Sequence, residues 1–119
     1  EKFPDLKILV SHGGGYLPAY AGRIDHAWGA RPDCRLKIKS PPSSYLKKLH
    51  LDTIVFTYEQ LSYLVDLFGP DKLVMGTDYP YDMAEDDPIG HVLGTPNLSE
   101  ENIKMITGGN AARLLGIDI

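Results

Sequence analysis

A short apolar stretch that ends in three glycines sets the pattern of the fold: Leu6-Lys7-Ile8-Leu9-Val10-Ser11-His12-Gly13-Gly14-Gly15. Its leucine and β-branched residues predict a mostly buried strand over Leu6–Ser11. The glycines predict a following loop with backbone angles that other residues rarely adopt. We therefore expect a strand whose carboxyl end presents His12.

Two further strands are predicted along the chain. The segment Leu51–Phe56 predicts the second, and Thr57 then begins a helix in which Gln60 completes a capping box. The segment Lys72–Thr77 predicts the third strand, which leads into Asp78. Each predicted strand is thus followed by a candidate helix or by a residue able to do chemistry.

The intervening segments predict helices and loops. The helix Tyr16–Ala30 is expected to pack one face against a core, because its apolar residues recur at intervals of three and four residues: Leu17, Tyr20, Ala21, Ile24, Ala27 and Trp28. Ser99 is the expected cap of a last helix that reaches Leu115, with a break at Gly108-Gly109-Asn110. Loops are expected over Cys34–Ser44 and Asp82–Pro96.

The element order indicates an α/β fold with a parallel sheet layered by helices. Three units in 119 residues are about 40 residues each, so eight units need ~320, which is within the size of a (β/α)8 barrel. Three parallel strands alone would leave two open edges. Because the chain also begins at Glu1 without an initiator Met, we expect it to be a piece of a longer protein.

Composition narrows the class of function. The formal net charge of -4 and pI near 5.4 leave no broad basic surface, so nucleic acid is not an expected partner. No apolar run is long enough to span a membrane, and the amino-terminal residues lack a signal-peptide pattern. The single cysteine, Cys34, cannot form an internal disulfide. These features predict a cytoplasmic protein.

His12 and Asp78 share a position, since each follows an apolar strand at the end where barrel enzymes place catalytic groups. An imidazole and a carboxylate side by side can share a divalent metal, or divide base and ligand roles around a bound water. The alternative is structural: His12 bonds to backbone and Asp78 caps a turn.

Other residues allow competing interpretations. A His-Gly-Gly-Gly loop forms the oxyanion hole of some α/β-hydrolases, but no Gly-x-Ser-x-Gly motif accompanies it here. Arg23 on the first helix is either a surface residue paired locally with a side chain such as Asp25, or a functional one. The stretch Glu85-Asp86-Asp87 lacks an EF-hand pattern and is expected to be a solvated loop.

Five motifs in order along the chain resemble the amidohydrolase-related metal-dependent enzymes, in particular the aminocarboxymuconate-semialdehyde decarboxylase-like branch. They cover nearly the whole chain: Ser11–Gly15, Gly22–Asp25, Pro42–Leu46, Gly76–Pro80 and Gly109–Gly116. The resemblance implies a (β/α)8 barrel of which residues 1–119 form the carboxyl-terminal portion, carrying strands six to eight. It also implies a divalent metal, with zinc the expected ion.

The resemblance assigns roles to individual residues. In that family the ion is held by a His-x-His pair after the first strand, a histidine after the fifth and an aspartate after the eighth. Asp78 matches this last ligand, and His12 matches the histidine after strand six that positions and deprotonates the metal-bound water. The chain has no His-x-His, and its other histidines do not stand at the fifth-strand position: His26, His50 and His91. The metal site is therefore expected to be incomplete here, and the chain alone inactive.

Two further residues are implied in substrate binding. Arg23 matches an arginine that reaches the substrate carboxylate, in the decarboxylase from a neighbouring subunit, so the parent is expected to be a homodimer. A guanidinium suits that role because it grips a carboxylate with two hydrogen bonds. Tyr81 falls where an aromatic side chain lines the pocket.

Together these residues predict part of a metal-dependent decarboxylase, a carbon-carbon lyase, that acts on a small unsaturated or aromatic carboxylic acid. One alternative uses the same site to hydrolyse a lactone or an amide. Another, of a different class, is a truncated α/β interaction module without catalysis.

Overall fold

The computed structural model describes residues 2–118 and contains a three-stranded parallel sheet. The strands, in their spatial order, are β1 (Leu9–Val10), β2 (His50–Asp52) and β3 (Leu73–Val74). In the central strand, Leu51 lies opposite Val10 on one side and Leu73 on the other. The predicted parallel α/β arrangement is confirmed, and the carboxyl ends of all three strands meet at one edge of the sheet.

Helices connect and cover the strands. Residues 2–118 form α1 (Leu17–Ala30), α2 (Pro42–Leu46), α3 (Tyr58–Phe68), α4 (Pro88–Gly94), α5 (Glu100–Lys104) and α6 (Asn110–Leu115). Short 3-10 turns lie at His12–Gly14, Pro32–Arg35 and Pro70–Lys72, and a π-helical turn at Met105–Gly109 joins α5 to α6. No helix within residues 2–118 has the length and apolar character needed to cross a membrane.

The core lies between the sheet and the helices after β2. Its most deeply buried apolar side chains are each no more than 1% exposed: Leu51, Leu61, Leu73, Val92 and Ile106. The predicted cap of α3 is confirmed, because the Thr57 hydroxyl accepts a hydrogen bond from the backbone N–H of Gln60 at 3.3 Å. The cap fixes the start of α3, and the apolar face of this helix packs in the core.

The strands are shorter than the sequence predicts. β1 pairs with β2 alone in the described structure, so Leu6 and Ile8, although apolar, are 62% and 42% exposed. β3 ends at Val74 because the next backbone N–H, that of Met75, donates to the carbonyl of Ile106 instead of a strand. The ends of β1 and β3 are therefore set by hydrogen-bond partners, and the pattern of apolar residues in the sequence does not reveal those partners.

The two predicted loops both contain a helix, so those predictions were wrong in part. In α2, the backbone N–H and hydroxyl of Ser43 donate to the Asp25 carboxylate at 2.9 and 2.6 Å. In α4, the Asp87 carboxylate caps the helix by accepting from the backbone N–H of Gly90 at 2.8 Å. A short helix that depends on a carboxylate cap gives no strong apolar period in the sequence.

The predicted break at Gly108-Gly109-Asn110 is also wrong. The backbone widens into the π-helical turn there and then continues as α6. Asn110 holds this segment against β3, because its side-chain amide donates to the carbonyls of Pro70 and Leu73 at 2.8 and 2.7 Å. A long-range side-chain anchor thus outweighs the low helical propensity of two glycines.

The expected core-facing side of α1 is only partly covered within residues 2–118. Pro18 is the buried residue of the helix, while Trp28 is half-buried. Tyr20 is 39% exposed and stacks on Tyr16 with ring centroids 3.7 Å apart. The helix packs against α2 and the turn at Pro32–Arg35, so its apolar face is mostly half-buried within residues 2–118 rather than fully buried as expected.

Candidate active site

His12 and Asp78 come together at the carboxyl edge of the sheet, as the sequence predicts. His12 follows β1, Asp78 follows β3, and their Nε2 and Oδ1 atoms lie 3.6 Å apart. The two side chains therefore reach towards each other across the end of the central strand. The separation is too long for a direct hydrogen bond. It fits two groups that act on one bound ion or one water.

Both residues have a left-handed backbone, with φ of 57° at His12 and 62° at Asp78. Such conformations cost non-glycine residues about 1–3 kcal/mol each and concentrate at functional sites. Exposure also agrees with a functional role, because the His12 side chain is 64% exposed and that of Asp78 is 24% exposed. The edge thus presents two accessible polar groups in strained positions.

The glycine after His12 allows the loop to pass close to the core. Gly13 is buried with φ of 59°, and a Cβ atom there would lie 2.4 Å from Val55 Cγ1 and 2.9 Å from Leu64 Cδ1. No side chain fits at that position without displacing the core. The loop therefore holds His12 directly over the packed end of the sheet.

This close approach predicts a large loss of stability for Gly13→Ala. Gly116→Ala is the matched control, since Gly116 has a similar left-handed backbone (φ 68°) and open space around the added methyl group. The backbone penalty is about 1–2 kcal/mol at either site, and the clash at Gly13 adds about 1–3 kcal/mol. Urea unfolding of the full-length protein measures both; equal losses for the two variants would show that the clash does not matter.

Two buried polar residues at the end of β2 were missed by the sequence analysis. Asp52 is 6% exposed, and its Oδ1 accepts hydrogen bonds from the backbone N–H groups of Gly13 at 2.8 Å and Ile54 at 3.1 Å. Thr53 is 1% exposed, and its hydroxyl accepts from the backbone N–H of Gly76 at 3.3 Å. One signal in the sequence could have identified Asp52, which is an acidic residue inside the apolar predicted strand Leu51–Phe56. A carboxylate buried in a strand requires hydrogen-bond donors, so its presence indicates nearby backbone or side-chain partners.

Tyr81 lies on the same loop as Asp78. Its backbone N–H donates to the Asp78 carbonyl at 3.0 Å, and its side chain is 70% exposed. The Thr77 hydroxyl accepts from the N–H of Tyr79 at 3.2 Å, which folds the chain tightly after Asp78. The loop therefore places an aromatic side chain within a few residues of the carboxylate.

The acidic stretch after Tyr81 is not simply a solvated loop, which corrects that expectation. The backbone N–H of Glu85 donates to the Thr77 carbonyl at 2.8 Å, and a carboxylate oxygen of Glu85 lies 3.4 Å from Nδ1 of the buried His91. His91 Nε2 lies 3.3 Å from the Thr57 carbonyl. The contacts attach the Asp78 loop to α3 and α4, so His91 serves packing rather than the site.

The remaining histidines are apart from the His12–Asp78 pair. His26 is exposed on α1, and His50 stands at the start of β2, at the opposite end of the strand from Asp52. Burial lowers the pKa of His50, with nearby Lys72 acting in the same direction. Neither histidine contributes to the carboxyl edge.

Arg23 is exposed on α1, and no contact within residues 2–118 joins it to His12 or Asp78. The expected local pairing with Asp25 is not formed, because the Asp25 carboxylate binds Ser43 instead.

The His12–Asp78 pair is chemically suited to hold or act beside a metal ion. Ligand atoms of a tetrahedral site with bonds of about 2.1 Å are about 3.4 Å apart, close to the observed 3.6 Å. Residues 2–118 bring together no group of three His, Cys, Asp or Glu side chains that would hold an ion. Two donors alone would not complete such a site.

The Amidohydrolase family model matches residues 1–117. The 2-amino-3-carboxymuconate-6-semialdehyde decarboxylase of Dictyostelium discoideum is 38% identical over 119 residues, a match that covers 99% of this chain and 33% of that protein.

Two solved structures resemble the fold closely. The 5-carboxyvanillate decarboxylase from Sphingomonas paucimobilis has a TM-score of 0.86 and 30% identity, covering 98% of this chain and 36% of its own. A dihydroxybenzoic acid decarboxylase from Polaromonas sp., solved with manganese and the inhibitor 2-nitroresorcinol, has a TM-score of 0.82 and 30% identity, with 97% and 35% covered. The chain spans about a third of the length of each of these relatives.

Proposed function

This chain belongs to the amidohydrolase family, and from that premise we propose that residues 1–119 are the carboxyl-terminal portion of a metal-dependent decarboxylase barrel. The observation that carries the proposal is the 3.6 Å approach of His12 and Asp78 at the carboxyl ends of two parallel strands. Barrel enzymes assemble their sites at this edge from several strands. The two similar solved structures are decarboxylases with the (β/α)8-barrel fold.

Apolar side chains exposed near β1 support the proposal that residues 1–119 are part of a longer protein. Leu6, Ile8 and Leu9 on and before β1 are 62%, 42% and 51% exposed, and β1 has an unpaired outer edge within residues 2–118. Such an edge is normally paired or covered in a stable protein. We assign the three units to strands six to eight, so that preceding units cover this edge and supply the missing ligands.

The proposed reaction removes the carboxylate of a small aromatic or unsaturated acid. The bond from carbon to the carboxylate breaks, carbon dioxide leaves, and a proton takes its place on the carbon that keeps the electron pair. His12, accessible and 3.6 Å from Asp78, is the group that moves the proton at Nε2. Asp78 anchors the ion, and Tyr81 lines the substrate pocket.

A divalent ion at this site supplies Lewis acidity, which polarises a substrate oxygen and makes a bound water more acidic. We propose zinc, because the family resemblance implies histidine ligands in addition to Asp78, and zinc binds imidazole and carboxylate ligands. Manganese, present in the similar decarboxylase from Polaromonas, is the alternative ion. Metal content of the full-length protein as purified distinguishes the two.

Labelled carbon dioxide tests the reaction directly. The full-length protein is supplied with 5-carboxyvanillate or 2-amino-3-carboxymuconate-6-semialdehyde carrying 13C in both of its carboxylates. We expect metal-dependent release of 13CO2 that stops on chelation and returns with the ion. A product that gains water and keeps both labelled carboxylates would identify a hydrolase, and no turnover of either acid would favour a non-catalytic role.

We also propose a role for Arg23 in substrate binding. In this proposal the protein is a homodimer, and Arg23 of one subunit reaches the substrate carboxylate bound in the neighbouring subunit. Arg23→Lys keeps the charge but loses the two-pronged hydrogen bond, so KM should rise about tenfold with kcat little changed. Steady-state kinetics of the full-length protein measure it. Arg113→Lys, at another exposed arginine on α6, is the control, and equal KM values for both variants would remove Arg23 from the site.

A further inference from the structure

The central strand β2 carries no group in the proposed chemistry, yet its end contacts both loops that do. Asp52 holds the backbone of Gly13, directly after His12, and Thr53 holds the backbone of Gly76, two residues before Asp78. Asp52 is the last residue of β2 and Thr53 follows it directly, so the two residues lie between the two loops. We propose that Asp52 and Thr53 are positioning residues that together set the separation of His12 and Asp78, an inference that rests on the proposed function.

The hydrogen bonds of Asp52 hold its side chain in one place, from which it supports the backbone after His12. Its side chain is immobilised locally by the Ile54 N–H, and the same oxygen then accepts from Gly13 at 2.8 Å. Hydrogen bonds from backbone N–H groups to a buried carboxylate are short and strong. They oppose relaxation of the left-handed backbone at His12 and Gly13, with φ of 57° and 59°. Asp52 thus fixes the direction in which the His12 side chain leaves the backbone.

Thr53 performs the equivalent task on the other side. Its hydroxyl binds the N–H of Gly76 at 3.3 Å. The glycine is pressed against β2, since a Cβ there would lie 3.1 Å from Ile54 Cδ1 and 3.2 Å from Asp52 Cβ. This hydrogen bond and the close packing of Gly76 together fix the distance between the end of β2 and the start of the Asp78 loop. The end of β2 therefore acts as a spacer between the two groups.

The spacing matters because displacement of reacting groups by about 1 Å can lower a rate by about 10²-fold. We expect Asp52→Ala and Thr53→Val in the full-length protein to lower kcat by about 10- to 100-fold, with KM within about threefold. Asp52→Asn and Thr53→Ser retain the accepting oxygen and should keep kcat within about threefold of the parent, by the same reasoning.

A control separates positioning from lost stability. Thr95 is 4% exposed and its hydroxyl donates to the His91 carbonyl at 2.9 Å, a hydrogen bond between α4 and its carboxyl-terminal cap that does not involve the backbone of Gly13 or Gly76. Thr95→Val therefore removes a buried hydroxyl hydrogen bond as Thr53→Val does, and it should lower stability without changing kcat. Equal kcat losses in Asp52→Ala and Asp52→Asn, or in Thr53→Val and Thr95→Val, would overturn the proposal.

Crystal structures of the full-length parent and Asp52→Ala test the same inference without turnover. We expect the His12 Nε2 to Asp78 Oδ1 distance to increase by about 1 Å or more in the variant, with the fold unchanged. An unchanged distance would overturn the positioning role even if the enzyme is active. Absence of turnover in the parent would instead count against the proposed function, while the two structures would still decide the role of Asp52.

Discussion

Replacing Asp78 with asparagine in the full-length protein is expected to lower the rate of carbon dioxide release at least about 10³-fold. Asparagine keeps the shape and size of the side chain but removes the negative charge that a divalent cation requires from this ligand. The loop geometry should survive, because the backbone contacts on either side of residue 78 do not use its carboxylate: Tyr79 to Thr77 and Tyr81 to the Asp78 carbonyl.

Metal content gives the second readout for this variant. We expect Asp78→Asn to retain much less ion than the parent after gel filtration. Asp82→Asn is the matched control, since Asp82 is an exposed carboxylate four residues further along the same chain segment. A variant Asp78→Asn with normal metal content and normal turnover would show that Asp78 merely caps a turn.

The second large effect is expected for His12→Gln. Loss of a positioned general acid or base lowers rates by about 10²–10⁴-fold, and glutamine supplies no group that exchanges a proton at neutral pH. His12 is assigned to proton movement and Asp78 to the ion, so the metal content of His12→Gln should stay close to that of the parent. Stopped-flow or steady-state assay of carbon dioxide, combined with metal analysis, measures both quantities.

His26→Gln controls for the change of residue type, because His26 is exposed on α1 and apart from the pair. It should leave kcat and metal content unchanged. Loss of metal together with activity in His12→Gln would reassign His12 from proton carrier to ligand. Unchanged kcat would remove it from the mechanism altogether.

Local signals allowed the main features of the fold and the candidate pair to be predicted. The capping residue Thr57 and the apolar period of α3 depend on neighbours in sequence, and the structure contains both as expected. The apolar stretch before His12 forms a strand, but β1 covers only Leu9–Val10 and is not the mostly buried strand expected over Leu6–Ser11. The His12–Asp78 approach follows from topology, because the carboxyl ends of parallel strands meet at one edge. The positions of the strand ends were therefore sufficient to predict that His12 and Asp78, which are distant in sequence, lie close together.

Features that depend on distant partners were not predictable in the same way. The helix α2 relies on Asp25, eighteen residues away from Ser43, and the continuous helical path at Gly109 relies on Asn110 binding the carbonyls near β3. Asp52 was included in an apolar strand, although its burial beside the Gly13 N–H is what supports the site. Tertiary hydrogen bonds leave no periodic signal in the sequence, and they decided each of these cases.

The most direct test of the central claim is a crystal structure of the full-length protein grown with manganese, with the ion located by its anomalous scattering. The account predicts an ion about 2.2 Å from a carboxylate oxygen of Asp78, with the His12 imidazole facing the same ion or a water beside it, and with further ligands from residues that precede this chain. An ion bound elsewhere, with Asp78 and His12 contacting only protein atoms, would contradict the account.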